Sequence, residues 1–180
     1  LGVFYLGIND GLYLRYGGKD LDEINEPAIA KICKFFFGIH TLVGLGIVLY
    51  AVLWVPDQNR VFVIIATAGC IPMFNIRGIL GQVMQAANDT KVSSVSNLID
   101  RLLVFAAVML GFALHITDFR YYVVFFAAGI WSAALYCCYR AREVLFSKEK
   151  VNGSVFAEIK ESMKAGLPLM ISSLSALMIT

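Results

Sequence analysis

The chain has 180 residues, of which 59% are hydrophobic and 16% are charged, and its formal net charge is +2. Soluble domains contain about 45–50% apolar and about 25% charged residues, so this composition argues against a soluble fold and favours a lipid environment. The small net charge does not favour a nucleic-acid partner. The sequence begins at Leu1 and ends at Thr180 within an apolar run, and we expect an excerpt of a longer chain.

Four long apolar segments follow one another along the chain. A bilayer core about 30 Å thick is crossed by about 20 helical residues, each rising about 1.5 Å. The four segments are residues 35–55, 61–87, 98–116 and 121–139. A partial span before residue 17 and an apolar run at 167–180 flank them. The sequence therefore predicts an all-α, polytopic bundle of transmembrane helices.

Two connections predict further helices outside these spans. Asn25 is a candidate N-cap with Pro27 in the first turn, and we expect this helix to continue into the span at 35–55. Ser154 is a candidate N-cap for an amphipathic helix whose apolar residues recur every four positions. That helix is expected either to lie in the headgroup plane or to form a solvated linker.

The basic residues are distributed unevenly between the connections. Of 15 Lys and Arg residues, 12 lie in or beside three long connections, and only two lie in the two short turns. The long connections are residues 17–34, 88–97 and 140–164, and the short turns are residues 56–60 and 117–120. By the positive-inside rule, the long connections are cytoplasmic and the short turns are on the outer side.

The remaining basic residue, Arg77, is the strongest functional candidate. It lies about 15 Å from the cytoplasmic end of its predicted helix, and charged residues at this depth are rare and commonly functional. Pro72 can kink the same helix. A polar stripe surrounds the arginine, formed by Asn75, Gly78, Gly81, Gln82 and Gln85. Arg77 either lines a hydrated cavity or pairs with a carboxylate that joins two helices.

Asp10 is a second candidate within a predicted span. If the glycine pair at 17–18 ends the first helix, Asp10 lies about 10 Å inside it. We expect Asp10 to pair with Arg77 or Arg15, or to bind a coupling proton or cation. We also expect a hydrated passage between the first helix and the helix of Arg77. Asp100 is placed nearer the end of its predicted span, where a positioning role is expected.

The sequence offers no motif for catalysis. It contains no nucleophile elbow, phosphate-binding loop or metal-ligand spacing, and the four cysteines are typical of small buried thiols. We therefore expect neither an enzyme nor a metal site. Small residues four positions apart, Ala107 with Gly111 and Gly129 with Ala133, predict close contacts between helices.

Two segments resemble bacterial polysaccharide-export proteins. Residues 10–19 (DGLYLRYGGK) are similar to a segment of lipid-linked oligosaccharide flippases, and residues 164–173 (KAGLPLMISS) are similar to the start of their seventh helix. Their superfamily also contains multidrug extruders and the peptidoglycan-precursor flippase. The resemblance implies a fragment of a transporter of twelve to fourteen helices. Residues 1–164 would form the N-terminal lobe, from a partial helix two to helix six with its cytoplasmic linker, and residues 165–180 would begin helix seven.

The resemblance also implies a function and a location. A polyprenyl-diphosphate-linked oligosaccharide would be flipped by alternating access across the bacterial inner membrane, for O-antigen or related polysaccharide biosynthesis. Implied partners are this glycan, membrane lipids and polysaccharide-assembly proteins, and no cofactor is implied apart from a coupling proton or sodium ion. The residues implied in pyrophosphate binding are Arg77, Asn75, Gln82 and Gln85, and those implied in a cytoplasmic gate or coupling site are Asp10 and Arg15.

Two alternatives remain open. A multidrug extrusion antiporter of the same superfamily would be expected to carry more carboxylates than arginines in its cavity, and Arg77 argues against it. A membrane component of a glycan-assembly enzyme complex belongs to a different class. It would need reactive residues in a sizeable outer loop, whereas the two outer turns have only five and four residues.

Overall fold

The computed structural model describes residues 7–19, 23–146 and 154–179. Within these ranges the chain forms seven α-helices and no strand, which confirms the all-α prediction. The helices are α1 (Ile8–Tyr16), α2 (Glu26–Trp54), α3 (Gln58–Ala86), α4 (Thr90–Ala113), α5 (Phe119–Arg140), α6 (Arg142–Leu145) and α7 (Val155–Ile179).

Helices α2 to α5 are each long and apolar enough to cross a membrane. Even the shortest, α5 with 22 residues, measures about 33 Å and exceeds a hydrocarbon core of about 30 Å. The predicted spans at 35–55, 61–87 and 121–139 correspond to α2, α3 and α5. Helix α2 begins at Glu26 with Pro27 in its first turn, as expected.

Helix α3 is the central element of the bundle. It packs against α1, α2, α4 and α5. The main apolar core includes Ile29 and Ile32 of α2 with Ile79, Leu80 and Val83 of α3, all fully buried. This core lies towards one end of the bundle, at the first turns of α2 and the last turns of α3. Elsewhere the helices expose large apolar side chains, as lipid-facing surfaces do.

The short turns and the long connections lie at opposite ends of the bundle. At one end, Arg120 donates a hydrogen bond to the Asn59 side chain at 2.9 Å and joins the two short turns. At the other end, Arg140 pairs with Asp89 at 3.6 Å, and the Gly18 amide donates to the last turn of α3. The predicted grouping of the connections is confirmed, and their orientation relative to the cytoplasm stays a prediction.

Helix α7 is one continuous helix that crosses the predicted boundary between linker and second lobe at residue 164. The predicted helix after Ser154 is confirmed, and one side of it packs against α1 while Lys160 and Lys164 are exposed, so its position relative to the headgroups stays a prediction. Ile159, Ser162 and Gly166 are buried along its length. Helices α4 and α5 also pack closely, and the predicted small pairs there, Ala107 with Gly111 and Gly129 with Ala133, are all buried.

Candidate functional site

Arg77 forms an ion pair between α3 and α4. Its Nη1 donates to Asp100 Oδ2 at 3.1 Å, and its Nη2 donates to Asn97 Oδ1 at 2.7 Å. The Arg77 and Asp100 side chains are only 10% and 15% exposed. A guanidinium has five N–H donors, of which two are engaged here and three form no hydrogen bond with another described residue. The carboxylate-pairing interpretation of Arg77 is confirmed.

The structure corrects the expected depth of Asp100. Helix α4 begins at Thr90, eight residues before the predicted span, so Asp100 lies about 15 Å along the helix. Arg77 lies about 14 Å from the end of α3 at Ala86, and the two charges therefore meet at one level. The prediction failed because residues 90–97 are mostly polar, and a hydropathy pattern assigns such a segment to a connection even where it forms helix.

A polar opening of about 220 Å³ lies beside the ion pair, between α3 and α4. Its lining is mostly polar or small and comprises Phe74, Arg77, Gly78, Gly81, Gln82, Ser93, Ser96, Asn97 and Cys137. Pockets for small molecules have volumes of about 300–1,000 Å³, so this opening suits a compact polar or anionic group and not a whole oligosaccharide. Arg77 therefore both lines a cavity and pairs with a carboxylate, so the two interpretations are both correct.

Only part of the predicted polar stripe reaches this opening. Gln82 lines it together with Arg77, as expected. Asn75 is 1% exposed and does not line the opening, and its Nδ2 donates to the Ile71 carbonyl at 2.8 Å. The Asn75 Oδ1 is buried without a hydrogen-bond partner among the described residues. Gln85 is half-buried and also lies outside the lining.

Arg15 binds α7. It pairs with Glu158 and with Glu161, each at 2.9 Å, and the Tyr16 hydroxyl donates to Glu158 at 2.6 Å. Asp10 is half-buried on another side of α1, because five residues correspond to a rotation of about 140°. The expected pairing of Asp10 with Arg15 or Arg77 is therefore wrong.

The predicted passage is also displaced. Among the described residues, none of α1 lines the polar opening, which lies between α3 and α4 with one residue from α5. Helix α1 packs against α3 and α7 instead. The expectation that α1 and α3 share a passage at Arg77 is wrong in this structure.

Sequence reasoning missed the crossing of α1 and α7. Gly7 and Gly11 meet Ser162 and Gly166 so closely that a Cβ on Gly11 would overlap the Ser162 carbonyl, and one on Gly166 would overlap the Gly7 carbonyl. Small residues four positions apart on both helices permit this backbone contact. The same spacing signals the α4–α5 contact, so the pattern was available in the sequence.

No family model, curated protein or solved structure matches this chain. The part of the chain that the structure describes is all-helical, with four helices long and apolar enough to cross a membrane. Within the described ranges, no group of His, Cys, Asp and Glu side chains could hold a metal ion. The Arg77–Asp100 pair and the polar opening beside it are the features of the described residues that bear most directly on function.

Proposed function

We propose that this chain is part of a multi-pass transporter of the bacterial inner membrane that flips a polyprenyl-diphosphate-linked oligosaccharide to the outer leaflet. The observation that carries the proposal is the position of Arg77, which is largely buried within α3, lines a polar opening and has three N–H donors that form no hydrogen bond with another described residue. A guanidinium binds phosphate oxygens through two parallel hydrogen bonds, and these charge-assisted bonds are among the strongest in proteins.

Asp100 has a defined part in this proposal. A buried guanidinium without a counter-ion is strongly unfavourable, and Asp100 compensates it when no substrate is bound. The substrate diphosphate carries more negative charge than one carboxylate and displaces Asp100 from Arg77. When the substrate leaves, the ion pair re-forms. Arg77 is thus neutralised in both states, whereas the displaced Asp100 is left unpaired, and this cost opposes tight binding and favours release of the substrate.

The dimensions of the site support recognition of the headgroup alone. An opening of about 220 Å³ accommodates a diphosphate, and the attached sugars extend beyond it. The turns that connect α2 to α3 and α4 to α5 span only residues 55–57 and 114–118. Such turns offer little room for reactive side chains around a glycan, which favours transport over an enzyme of glycan assembly.

The proposal is tested by substitution of Arg77. We expect Arg77→Gln to weaken binding of a polyprenyl diphosphate to the purified protein about tenfold or more, because hydrogen bonds to charged groups contribute about 1.5–3 kcal/mol. Arg77→Lys should retain part of the affinity, since lysine keeps the positive charge but lacks the planar guanidinium that donates two parallel hydrogen bonds. Arg101→Gln, an exposed arginine next to Asp100, is the matched control. Normal arrival of the glycan at the cell surface with Arg77→Gln, at normal expression, would contradict the proposal.

One observation favours a second candidate, a multidrug extrusion antiporter. Asp100 pairs with Arg77, which lines the opening, and is 15% exposed, so a carboxylate that can bind an organic cation lies directly behind the lining. The two candidates predict opposite effects of Asp100→Asn. Diphosphate binding should strengthen if the protein is a flippase, because the competing carboxylate is gone. Binding of tetraphenylphosphonium should be lost if it is an extruder.

A further inference from the structure

A continuous apolar groove runs along the face formed by α2, α3 and α5. It consists of two hollows of about 310 and 280 Å³ that share Phe37 and Met73 in their lining. One end lies near Val48, and the other lies at Lys34 and Phe146, beside the short helix α6. Because the two hollows share residues from both α2 and α3, they form one groove.

The length and the lining of the apolar groove match a single hydrocarbon chain. Lys34 and Val48 are 14 residues apart on α2, a distance of about 21 Å. One leaflet of a hydrocarbon core is about 15 Å thick, so the groove covers the whole depth of that leaflet. Its lining is apolar apart from Lys34, Thr41 and two thiols, and the Thr41 hydroxyl is already bonded to the Phe37 carbonyl at 2.7 Å.

The end of the groove beside α6 is cationic. Lys34 lies at its mouth, and Lys31 lies one helical turn earlier, and both are exposed. Neither lysine forms an ion pair with another described residue. The carboxylate on α6, Glu143, lines a separate polar pocket with Asp89. An anionic headgroup is therefore the complementary partner for this end.

The groove is separate from the polar opening at Arg77. Gly69 lines the groove and Gly78 lines the opening, and their nine-residue separation places them on opposite sides of α3. On α5, Cys138 lines the groove and Cys137 lines the opening. A molecule whose headgroup occupies the opening therefore cannot place its chain directly in the groove.

We propose that the apolar groove binds one acyl chain of an anionic phospholipid from the cytoplasmic leaflet, with the lipid phosphate on Lys34. The inference stands independently of the proposed transport function. It adds a lipid site on the outer face of the bundle that holds α2, α3, α5 and α6 together at the end where Lys34 lies.

Trp131 lines the groove and provides the readout. In a Trp54→Phe background it is the one tryptophan left, because the chain has two. We expect bromine-labelled phosphatidylglycerol to bind beside Trp131 about fivefold more strongly than bromine-labelled phosphatidylcholine, as judged by fluorescence quenching in mixed bilayers. Lys34→Gln should bring this ratio close to one. Lys91→Gln, which removes an exposed lysine from the start of α4, should leave it unchanged.

A second pair of variants tests the acyl-chain site. A Cβ on Gly69 has no atom within 4 Å, so the side chain of Gly69→Leu can fill the groove without moving the backbone. We expect the excess quenching by phosphatidylglycerol to disappear. Gly46→Leu is the matched control, since Gly46 is equally open but lies outside the groove. Equal quenching by the two lipids in the unsubstituted background, or equal effects of the two leucines, would overturn the proposal. Displacement of the labelled lipid by a tighter-binding polyprenyl diphosphate would also overturn it and assign the groove to that lipid.

Discussion

Removal of Arg77 alone should destabilise the protein far more than removal of the whole ion pair. In Arg77→Met, Asp100 keeps its charge at 15% exposure and loses the partner at 3.1 Å. Loss of one member of a buried pair costs about 3–5 kcal/mol. Because the Asp100 side chain is still 15% exposed, we expect the lower end, about 3 kcal/mol. The double variant Arg77→Met with Asp100→Leu leaves no buried charge, and it should lie within about 1 kcal/mol of the original protein.

The assay is unfolding in mixed micelles with increasing dodecyl sulfate, followed by far-ultraviolet circular dichroism. Arg101→Met is the control, because Arg101 is exposed and forms no ion pair with another described residue. Diphosphate binding is measured on the same samples. It should be lost in both the single and the double variant, so that the binding role of Arg77 is separated from its effect on stability.

Two results would refute this reasoning. An unchanged unfolding midpoint for Arg77→Met would mean that Asp100 does not need the guanidinium in the folded protein. A double variant as unstable as Arg77→Met would mean that lost packing, and not an unpaired carboxylate, causes the destabilisation.

Three further substitutions test the helix contacts by the same unfolding assay. Gly166→Ala places a Cβ against the backbone of α1, which can move only if the two helices separate, so it should lower the free energy of unfolding by about 1–3 kcal/mol. Its control, Gly38→Ala, has open space around the new Cβ and should raise the free energy of unfolding by up to about 1 kcal/mol. Arg15→Gln should lower the free energy of unfolding by about 1 kcal/mol at low salt and by little at 1 M salt, because the Arg15 side chain is 27% exposed and its ion pairs are screened. A loss of stability that does not depend on salt would contradict the ion-pair explanation. Gly111→Ala should displace the Tyr122 ring and break its hydrogen bond to the Ile116 carbonyl, which should lower the free energy of unfolding by about 1 kcal/mol. In a Tyr122→Phe background, where this hydrogen bond is already absent, Gly111→Ala should cost less.

The residues around Arg77 show how far the sequence could predict the candidate site. Arg77 lies deep in a long apolar segment, where a charge is energetically unfavourable, and this alone predicts a functional site there. Gln82 lies on the same face of the helix by its spacing from Arg77, so the sequence also predicts that it belongs to the site. The sequence also places Asn75 in this stripe, but the stripe is wide enough to cover two faces of α3, and Asn75 is buried on the second face. The sequence predicts Asp100 too near a helix end, because hydropathy assigns the polar start of α4 to a connection.

The sequence by itself determined how many long apolar helices the chain has, where most of them begin and end, and which connections share an end of the bundle. These properties follow from hydropathy and from the local positions of charges, caps and prolines, each of which acts within a few residues. Only the tertiary structure decided that Arg77 pairs with Asp100, that Arg15 joins α1 to α7, and that the polar opening lies between α3 and α4. Those contacts depend on which face of each helix meets which neighbour. In an apolar bundle many rotations bury similar surface, so close packing of small residues and a few buried polar pairs select one arrangement.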